Sequence, residues 1–540
     1  MSETARNPKN PKGISWNARL GLKALLGILA VGIFAWFLGG SFGVGLRTWQ
    51  EGRVAPYTVY APMDFFCQDQ GRPVEVQRGE LLVSKGERLT AVHVARLQAM
   101  EKAQSGGKTG PHWFGAFLLA ALFTAVIAIY LRRYELKIWR APRQQALIVT
   151  VVATVLVLAR LILESPLDSG WIPVAAVPML VGMLLEQRLG IVVGLLVTGL
   201  VALRIHAELP LIVGLSVGSF VGGYLVRGIR RRIDFFWVAL IIGAAQAVTI
   251  FCGYLIMEWP FPSALERSAA ALVSGVLASL LTYCLLPICE TVFQRVTEVT
   301  LLEISDLNHP LLRELSVKAP GTYHHSLIVA RLAEAACEAI GANTLLARVG
   351  CYFHDIGKML HPEYFVENQP PAASRHDRLA PSMSSLVILN HVKEGIKLAQ
   401  RYHLNQAIID FIPGHHGTGL IYYFYRRALE EVEDETQLKE ERFRYPGPKP
   451  QTRETAVALL ADSSEAASRA LPEKNPAKIQ EVVRRIVNNK FIDGQLDECD
   501  LTLKDLHRIS EAFIRVLAGI YHTRIEYPKL PGEESDAVVA

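Results

Sequence analysis

The chain has 540 residues, more than one typical domain, and at 51% hydrophobic content it is too apolar for an ordinary soluble enzyme. A net charge of +5 over this length implies no nucleic-acid polymer as partner. Seven Cys, at 67, 252, 284, 289, 337, 351 and 499, show no C-x-x-C spacing and no obvious pairing, which argues against a zinc ribbon or a disulfide framework.

A lipid bilayer is the natural partner of so apolar a chain. Crossing a hydrocarbon core of ~30 Å takes ~20 helical residues, and runs of that kind lie near 24–46, 113–131, 145–163, 209–226, 235–257 and 268–289. The first is longer than the apolar region of a signal peptide and no A-x-A-like site follows it, so it reads as an uncleaved anchor. Between the first two spans, residues 47–111 include "VEVQRGELLVSKGERLTAVHVARLQAME", an alternating stretch followed by a helical one, which predicts a small extracytoplasmic strand-plus-helix module. Two shorter runs, 171–185 and 189–203, are separated only by Glu186, Gln187 and Arg188. They read as short tilted spans or a re-entrant hairpin.

Lys and Arg collect in the N-terminal tail, after the second span and in "RGIRRR" at 227–232, which should all face the cytoplasm. The alternation is consistent with eight crossings, and everything after about residue 290 is then cytoplasmic. Arg160, Arg204 and Glu266 lie near span ends, where an ionisable side chain can snorkel to the interface. The expected organisation is a cytoplasmic tail and anchor helix over 1–46, the outer module over 47–111, a seven-span membrane domain over 112–290, a cytoplasmic domain over 291–530 and a disordered tail over 531–540. The fold class is all-α, with a polytopic membrane part followed by a helical cytoplasmic part.

Twelve of the fifteen His lie between 309 and 522. Helical periodicity there marks 322–340, 343–356, 382–402, 405–414, 419–434, 452–470, 475–490 and 502–520. In "PGTYHHSLIVARLAEAACEAI", His325 shares a stripe with Val329, Leu332 and Ala336, so it is the inward member of its pair. His354 and Asp355 follow "LLARVGCYF", His391 sits in "SLVILNHVKEGIKLA", His415 and His416 follow a Pro413-Gly414 turn, and Asp462 stands in line with Ala458, Leu459 and Ala466.

Any one of these is an ordinary core histidine or a capping carboxylate. Together, five His and two Asp on separate helices would leave several uncompensated buried groups unless a cation shared them. Imidazole and carboxylate without thiolate suit iron, manganese or zinc better than calcium or magnesium. Seven ligands exceed what one tetrahedral zinc takes, so two divalent transition-metal ions fit better. His325, His354, Asp355 and Asp462 are assigned to one ion, and Asp355, His391, His415 and His416 to the other, with Asp355 as the bridge. Two such ions ~3.5–4 Å apart can acidify a shared water and clamp both oxygens of a phosphoryl displacement. Asp355 is thereby a catalytic candidate. Lys358, one turn further, is placed to meet a substrate phosphate, although as a solvated surface lysine it would be equally ordinary. The second His-Asp pair, His376–Asp377, lies in a loop and reads as a cap or a substrate rim.

The order H…HD…H…HH…D around "HDIGK" resembles the HD-domain phosphohydrolases. Residues 290–528, with "LLEISDLNHPLLRELSVKAPGTYHHSLIVARLAEAA", "YFVENQ", "HHGTGLIYYFY", "DSSEAASRAL" and "DGQLDECDLTLKDLHRISEAFIRVLAGIYHTRIEYP", resemble the membrane-anchored seven-transmembrane receptor HD family. The resemblance implies a bacterial inner-membrane protein with a cytoplasmic HD domain that hydrolyses the second messenger cyclic di-AMP to pApA at an iron- or manganese-type di-metal centre. It also implies an outer domain much larger than 47–111, so that segment reads as truncated. A homodimer is left open. A nucleotide-binding receptor without hydrolysis is the alternative, as is hydrolysis of another nucleotide, but no ligand is missing. The G-Y-P element of cyclic di-GMP hydrolases is replaced here by "GTGLIYYFY".

Overall fold

The computed structural model describes residues 16–39, 49, 51–55, 59–61, 64–69, 72–77, 79–84, 86–105, 110–165, 167–205, 209–369, 375–432 and 438–521. The tail at 531–540 and His522 lie outside them. The chain divides into two compact units, Met1–Phe293 and Gln294–Ala540, and the fold is all-α apart from one small β module.

In the first unit, α1 (Trp16–Gly39) precedes that module. There β1 (Val59–Tyr60) pairs antiparallel with β4 (Leu81–Val83), and β2 (Phe65–Asp69) pairs with β3 (Arg72–Val76) in the register Phe65↔Val76 to Asp69↔Arg72. Alternation puts Phe65, Cys67 and Val76 on the inner face, where α2 (Ala91–Ser105) covers them with Leu97 and Met100. Next come α3 (Gly110–Tyr134), α4 (Leu136–Arg140), α5 (Pro142–Glu164), α6 (Ala176–Leu184), α7 (Gln187–Ala202), α8 (Leu209–Leu225), α9 (Arg232–Ile256) and α10 (Phe261–Phe293). Among the described residues, six helical stretches are long and apolar enough to cross a membrane: Gly21–Gly39, Pro111–Tyr134, Pro142–Glu164, Leu209–Gly228, Arg232–Ile256 and Phe261–Phe293.

The two short runs form a tight pair. A Cβ at Gly190 would sit 2.6 Å from Pro178 O, and one at Gly194 would sit 2.8 Å from the Pro178 ring, so these glycines let α7 lie directly on α6. Val177, Met179, Leu180 and Val181 of α6 are wholly buried, and a nine-residue helix rises only about 14 Å. The first unit also corrects the snorkelling expectation for Arg160. That side chain is fully buried, its guanidinium donating to Glu164 Oε1 at 2.9 Å and to Trp36 O at 2.6 Å while lying over the Trp36 ring. A partner carboxylate one turn away and a carbonyl on α1 replace the water it would otherwise reach for.

The second unit contains α11 (Glu298–Ile304), α12 (Pro310–Lys318), α13 (Pro320–Ile340), α14 (Thr344–Phe353), α15 (Pro381–Arg401), α16 (Gln406–Ile409), α17 (Phe411–Gly414), α18 (Tyr422–Glu430), α19 (Arg453–Arg469), α20 (Pro476–Ile492) and α21 (Leu503–Ile520). One core joins α13, α14, α19, α20 and α21 through Val329, Ala336, Cys351, Leu459, Val483 and Phe513. The other joins α11, α12, α14, α15 and α16 through Leu301, Leu315, Phe353, Val392 and Ile408. Helix α14 serves both, with Ala347 and Cys351 in the first and Val349 and Phe353 in the second. Its C-terminal end therefore points into the seam between them. The helix expected over 405–414 is two short pieces that meet at Asp410.

Candidate metal centre

Helix α13 begins with Pro320, whose missing N–H costs nothing at that position, and ends at Gly341 in the left-handed region with φ 66°. His325 lies buried on its inner stripe and His324 is exposed on the other face. Helix α14 starts from an Asn343 cap that accepts from Leu346 N, and stops at Phe353. His354 keeps helical angles, but Asp355, at φ −112° and ψ 16°, leaves the helix and starts a 3-10 turn over Ile356–Leu360. Both side chains are fully buried.

That turn presses onto α15. A Cβ on Gly357 would lie 1.9 Å from His391 O and 2.7 Å from Gly395 N, so only glycine lets the HDIGK turn reach the His391 backbone. His415 closes α17 and His416 follows, with Gly417 at φ 56° turning the chain away. Asp462 comes from the middle of α19, a helix capped by Thr452.

The structure brings all seven side chains together, in two sets that share Asp355. Ligating atoms of His325, His354, Asp355 and Asp462 lie within 4.8 Å of one another, and so do those of Asp355, His391, His415 and His416. Asp355 faces each set with a different oxygen. Oδ2 is 3.2 Å from His354 Nε2 and 3.5 Å from His325 Nε2, whereas Oδ1 is 3.4 Å from His391 Nε2 and 3.6 Å from His415 Nε2. The Asp462 carboxylate is 3.0 Å from His325 Nε2 and 3.9 Å from His354 Nε2.

The tautomers are set from behind. His354 Nδ1 contacts Cys351 O at 2.7 Å, His391 Nδ1 contacts Ile388 O at 2.5 Å, and His415 Nδ1 contacts Phe411 O at 2.8 Å. A carbonyl only accepts, so each Nδ1 carries the proton and each Nε2 turns a lone pair inward. Glu465 Oε2 does the same for His325 Nδ1 at 2.7 Å. The lone pairs then meet groups that also only accept. His354 Nε2, His415 Nε2 and Asp355 Oδ1 are buried without a hydrogen-bond partner, Asp355 Oδ2 has only the Lys358 ammonium as a donor, and His391 Nε2 lies 3.1 Å from His416 Nε2. Several buried acceptors aimed at one another are unfavourable by themselves and suit cations held between them. The donor set therefore fits two divalent ions.

The electrostatics agree. Burial drives His391 down to about 4, and drives His416 well below its usual value with help from His415 and His391, so both imidazoles are neutral as ligands must be. Burial alone would raise the Asp355 carboxyl, but the Lys358 ammonium and the His354 imidazole hold it well below the carboxylate range. At His354 burial is outweighed by Asp355 and Asp462, which raise it to about 10; two carboxylates that favour a proton there favour a metal cation as well.

Lys358 is not a solvated surface lysine. Its Nζ lies 2.7 Å from Asp355 Oδ2 and 3.0 Å from Glu367 Oε1, and its side chain is 13% exposed. His376 is buried in a 3-10 turn, with Nε2 2.8 Å from Tyr364 O, and belongs to neither ligand set. Three residues escaped the sequence reading. Glu465 carried a signal, three residues beyond Asp462 on one helix. Glu367 sits among short 3-10 turns with no periodicity to mark it, and Tyr445, stacked on His416 with ring centroids 3.9 Å apart, lies in an irregular segment.

Comparison with known proteins gives two family matches, a 7TM receptor with intracellular HD hydrolase over residues 111–297 and an HD domain over residues 322–467. The cyclic-di-AMP phosphodiesterase PgpH of Bacillus subtilis (strain 168) is 34% identical over 481 residues, covering 86% of this chain and 66% of that protein. Its namesake from Listeria monocytogenes serotype 1/2a (strain 10403S) is 34% identical over 475 residues, covering 84% and 64%. The chain thus spans just under two thirds of the length of these curated relatives. A crystal structure of the L. monocytogenes PgpH HD domain in complex with cyclic-di-AMP is 50% identical, matched over 41% of this chain and 100% of that one with a TM-score of 0.38. From the two matched regions, which together take in more than half of its residues, and from relatives aligned along most of its length, the chain belongs to the family of seven-transmembrane receptors with an intracellular HD hydrolase.

Proposed function

We propose that this chain is a membrane-anchored, metal-dependent phosphodiesterase that hydrolyses cyclic di-AMP to pApA. The single observation that carries the reading is Asp355, a fully buried carboxylate whose two oxygens face two separate sets of inward-turned lone pairs. Its substrate is inferred from the two relatives, both called cyclic-di-AMP phosphodiesterases.

In this reading His325, His354, Asp355 and Asp462 hold one ion and Asp355, His391, His415 and His416 hold the second, with iron or manganese the expected metals. Such a pair, when bound, supplies Lewis acidity toward a phosphoryl group and acidifies water. The remaining work belongs to the chain. Backbone carbonyls and Glu465 fix the imidazole orientations, so the ligands need no reorganisation when substrate arrives. The Lys358 ammonium, beside Asp355, offers a positive charge to a non-bridging phosphate oxygen. His325, His354, Asp355, His391 and His415 are all buried, and a low local dielectric strengthens each of these interactions.

The protein is placed in the bacterial inner membrane, with its N-terminus and HD domain on the cytoplasmic side where a second messenger is found. The placement is supported by the basic segments that flank alternate spans. Purified protein loaded with Mn²⁺ or Fe²⁺ should convert cyclic di-AMP to pApA and leave cyclic di-GMP and nucleoside triphosphates largely intact. Turnover of another nucleotide in place of cyclic di-AMP would overturn the substrate. Metal loading without any turnover would instead favour a nucleotide-binding receptor.

A further inference from the structure

Beside the ligand cluster lies a buried ion pair that neither metal set uses. Lys358 Nζ stands between two carboxylates, Asp355 Oδ2 at 2.7 Å and Glu367 Oε1 at 3.0 Å, and the Glu367 side chain is only 7% exposed. The second carboxylate is itself fixed. Thr322 Oγ1 donates to Glu367 Oε1 at 3.1 Å, and Asn368 Nδ2 donates to Thr322 Oγ1 at 2.8 Å. Asn368 Oδ1 accepts from Gly321 N at 2.9 Å and from Thr322 N at 3.2 Å, which ties the segment to the first turn of α13, one turn before His325. A Cβ on Gly321 would come within 1.9 Å of Glu367 O, so the glycine is what allows this approach.

The two carboxylates differ in what else claims them. Asp355 Oδ2 is also 3.2 Å from His354 Nε2 and 3.5 Å from His325 Nε2, so it belongs to a candidate ligand set. A divalent cation on that oxygen repels an ammonium 2.7 Å away from it. Glu367 is in neither set. It is the anion that can keep Lys358 beside the cluster whatever Asp355 binds.

We propose that Glu367 is a positioning residue, which holds the Lys358 ammonium at the edge of the metal cluster where it meets the phosphate of a cyclic dinucleotide. The inference rests on the phosphodiesterase function proposed above. Glu367 touches neither phosphate nor ion; it acts through Lys358, and Asn368 and Thr322 keep it in place.

The test is a double-mutant cycle in the full chain, with Glu367→Gln, Lys358→Met and the pair together. Metal content, melting temperature, kcat and KM for cyclic di-AMP, and affinity of the metal-loaded chain for inorganic phosphate are read for each. Glu367→Gln should retain the wild-type metal content and melting temperature while raising KM and weakening phosphate binding about tenfold, the scale of one charge-assisted contact. Lys358→Met should do at least as much, the double variant should be no worse than Lys358→Met alone, and Glu367→Asp should recover part of the loss. Additive effects of the two substitutions, loss of metal in Glu367→Gln, or unchanged phosphate affinity in that variant would each overturn the proposal. A wild-type chain that leaves cyclic di-AMP intact would sink the proposed function instead, and the phosphate measurement would still decide the role of Glu367.

Discussion

Both units bury polar groups, but they dispose of them differently. In the membrane-spanning unit several are settled pairwise: Arg160 by Glu164 and Trp36 O, Thr198 by Ser219 at 2.9 Å, Ser274 by Ile172 O, Ser279 by Phe235 O. Gln246 is not settled in this way, its wholly buried amide having no hydrogen-bond partner among the described residues. In the HD unit the buried ligand groups are aimed at one another, and their Nε2 and carboxylate atoms share a deficit that the one nearby ammonium, Lys358 against Asp355 Oδ2, does not fill. Local settlement serves packing, because each contact is complete by itself. A shared deficit is what a binding site for cations requires, and it makes the members interdependent.

Substitutions should expose that difference. Asp355→Ala removes a ligand from both sets at once and should abolish both metal loading and hydrolysis, as read by elemental analysis and product formation. One ion retained at full affinity would break the idea of a shared bridge. Gly357→Ala forces a methyl group against His391 O and should displace the HDIGK turn from α15, lowering metal content from two ions toward one along with the melting temperature. Glu465→Gln leaves all seven ligands but weakens the acceptor behind His325, so metal affinity should drop by about 10- to 100-fold in a competitive chelator titration.

The membrane-spanning unit should answer with stability alone. Arg160→Ala strips the partner from Glu164 and is expected to cost about 3 kcal/mol in an unfolding assay, with metal content unchanged in the same sample. Thr198→Val loses one hydrogen bond between helices and should cost only about 0.6 kcal/mol. Because these two sites share no partner, the double variant should show the sum of the two effects. Strong coupling between them would mean that the buried polar groups of this unit are not settled one by one.

Much of this could be read in advance because the periodicities were strong. The stripe of His325 with Val329, Leu332 and Ala336 needs only the helical repeat, and those three neighbours are wholly buried. The long spans follow from apolar length. The short pair α6 and α7 resisted, since composition cannot tell a buried hairpin from a tilted crossing; Pro178 against Gly190 and Gly194 is a contact between helices. Arg160 was misjudged for a similar reason, its partner Trp36 O lying 124 positions away.

The sequence by itself determined the helical architecture and the identity of the seven candidate ligands, because residue type and 3.6-residue spacing are local properties. Only the tertiary structure decided that Asp355 turns one oxygen to each set, that His354 and Asp355 stand beyond the end of α14, and that Glu465 and Glu367 reach His325 and Lys358. Those are matters of backbone angle and of approach between distant segments. The dihedral break at Asp355 and the close passage of Gly357 and Gly321 exist only once the cores on either side of α14 have packed.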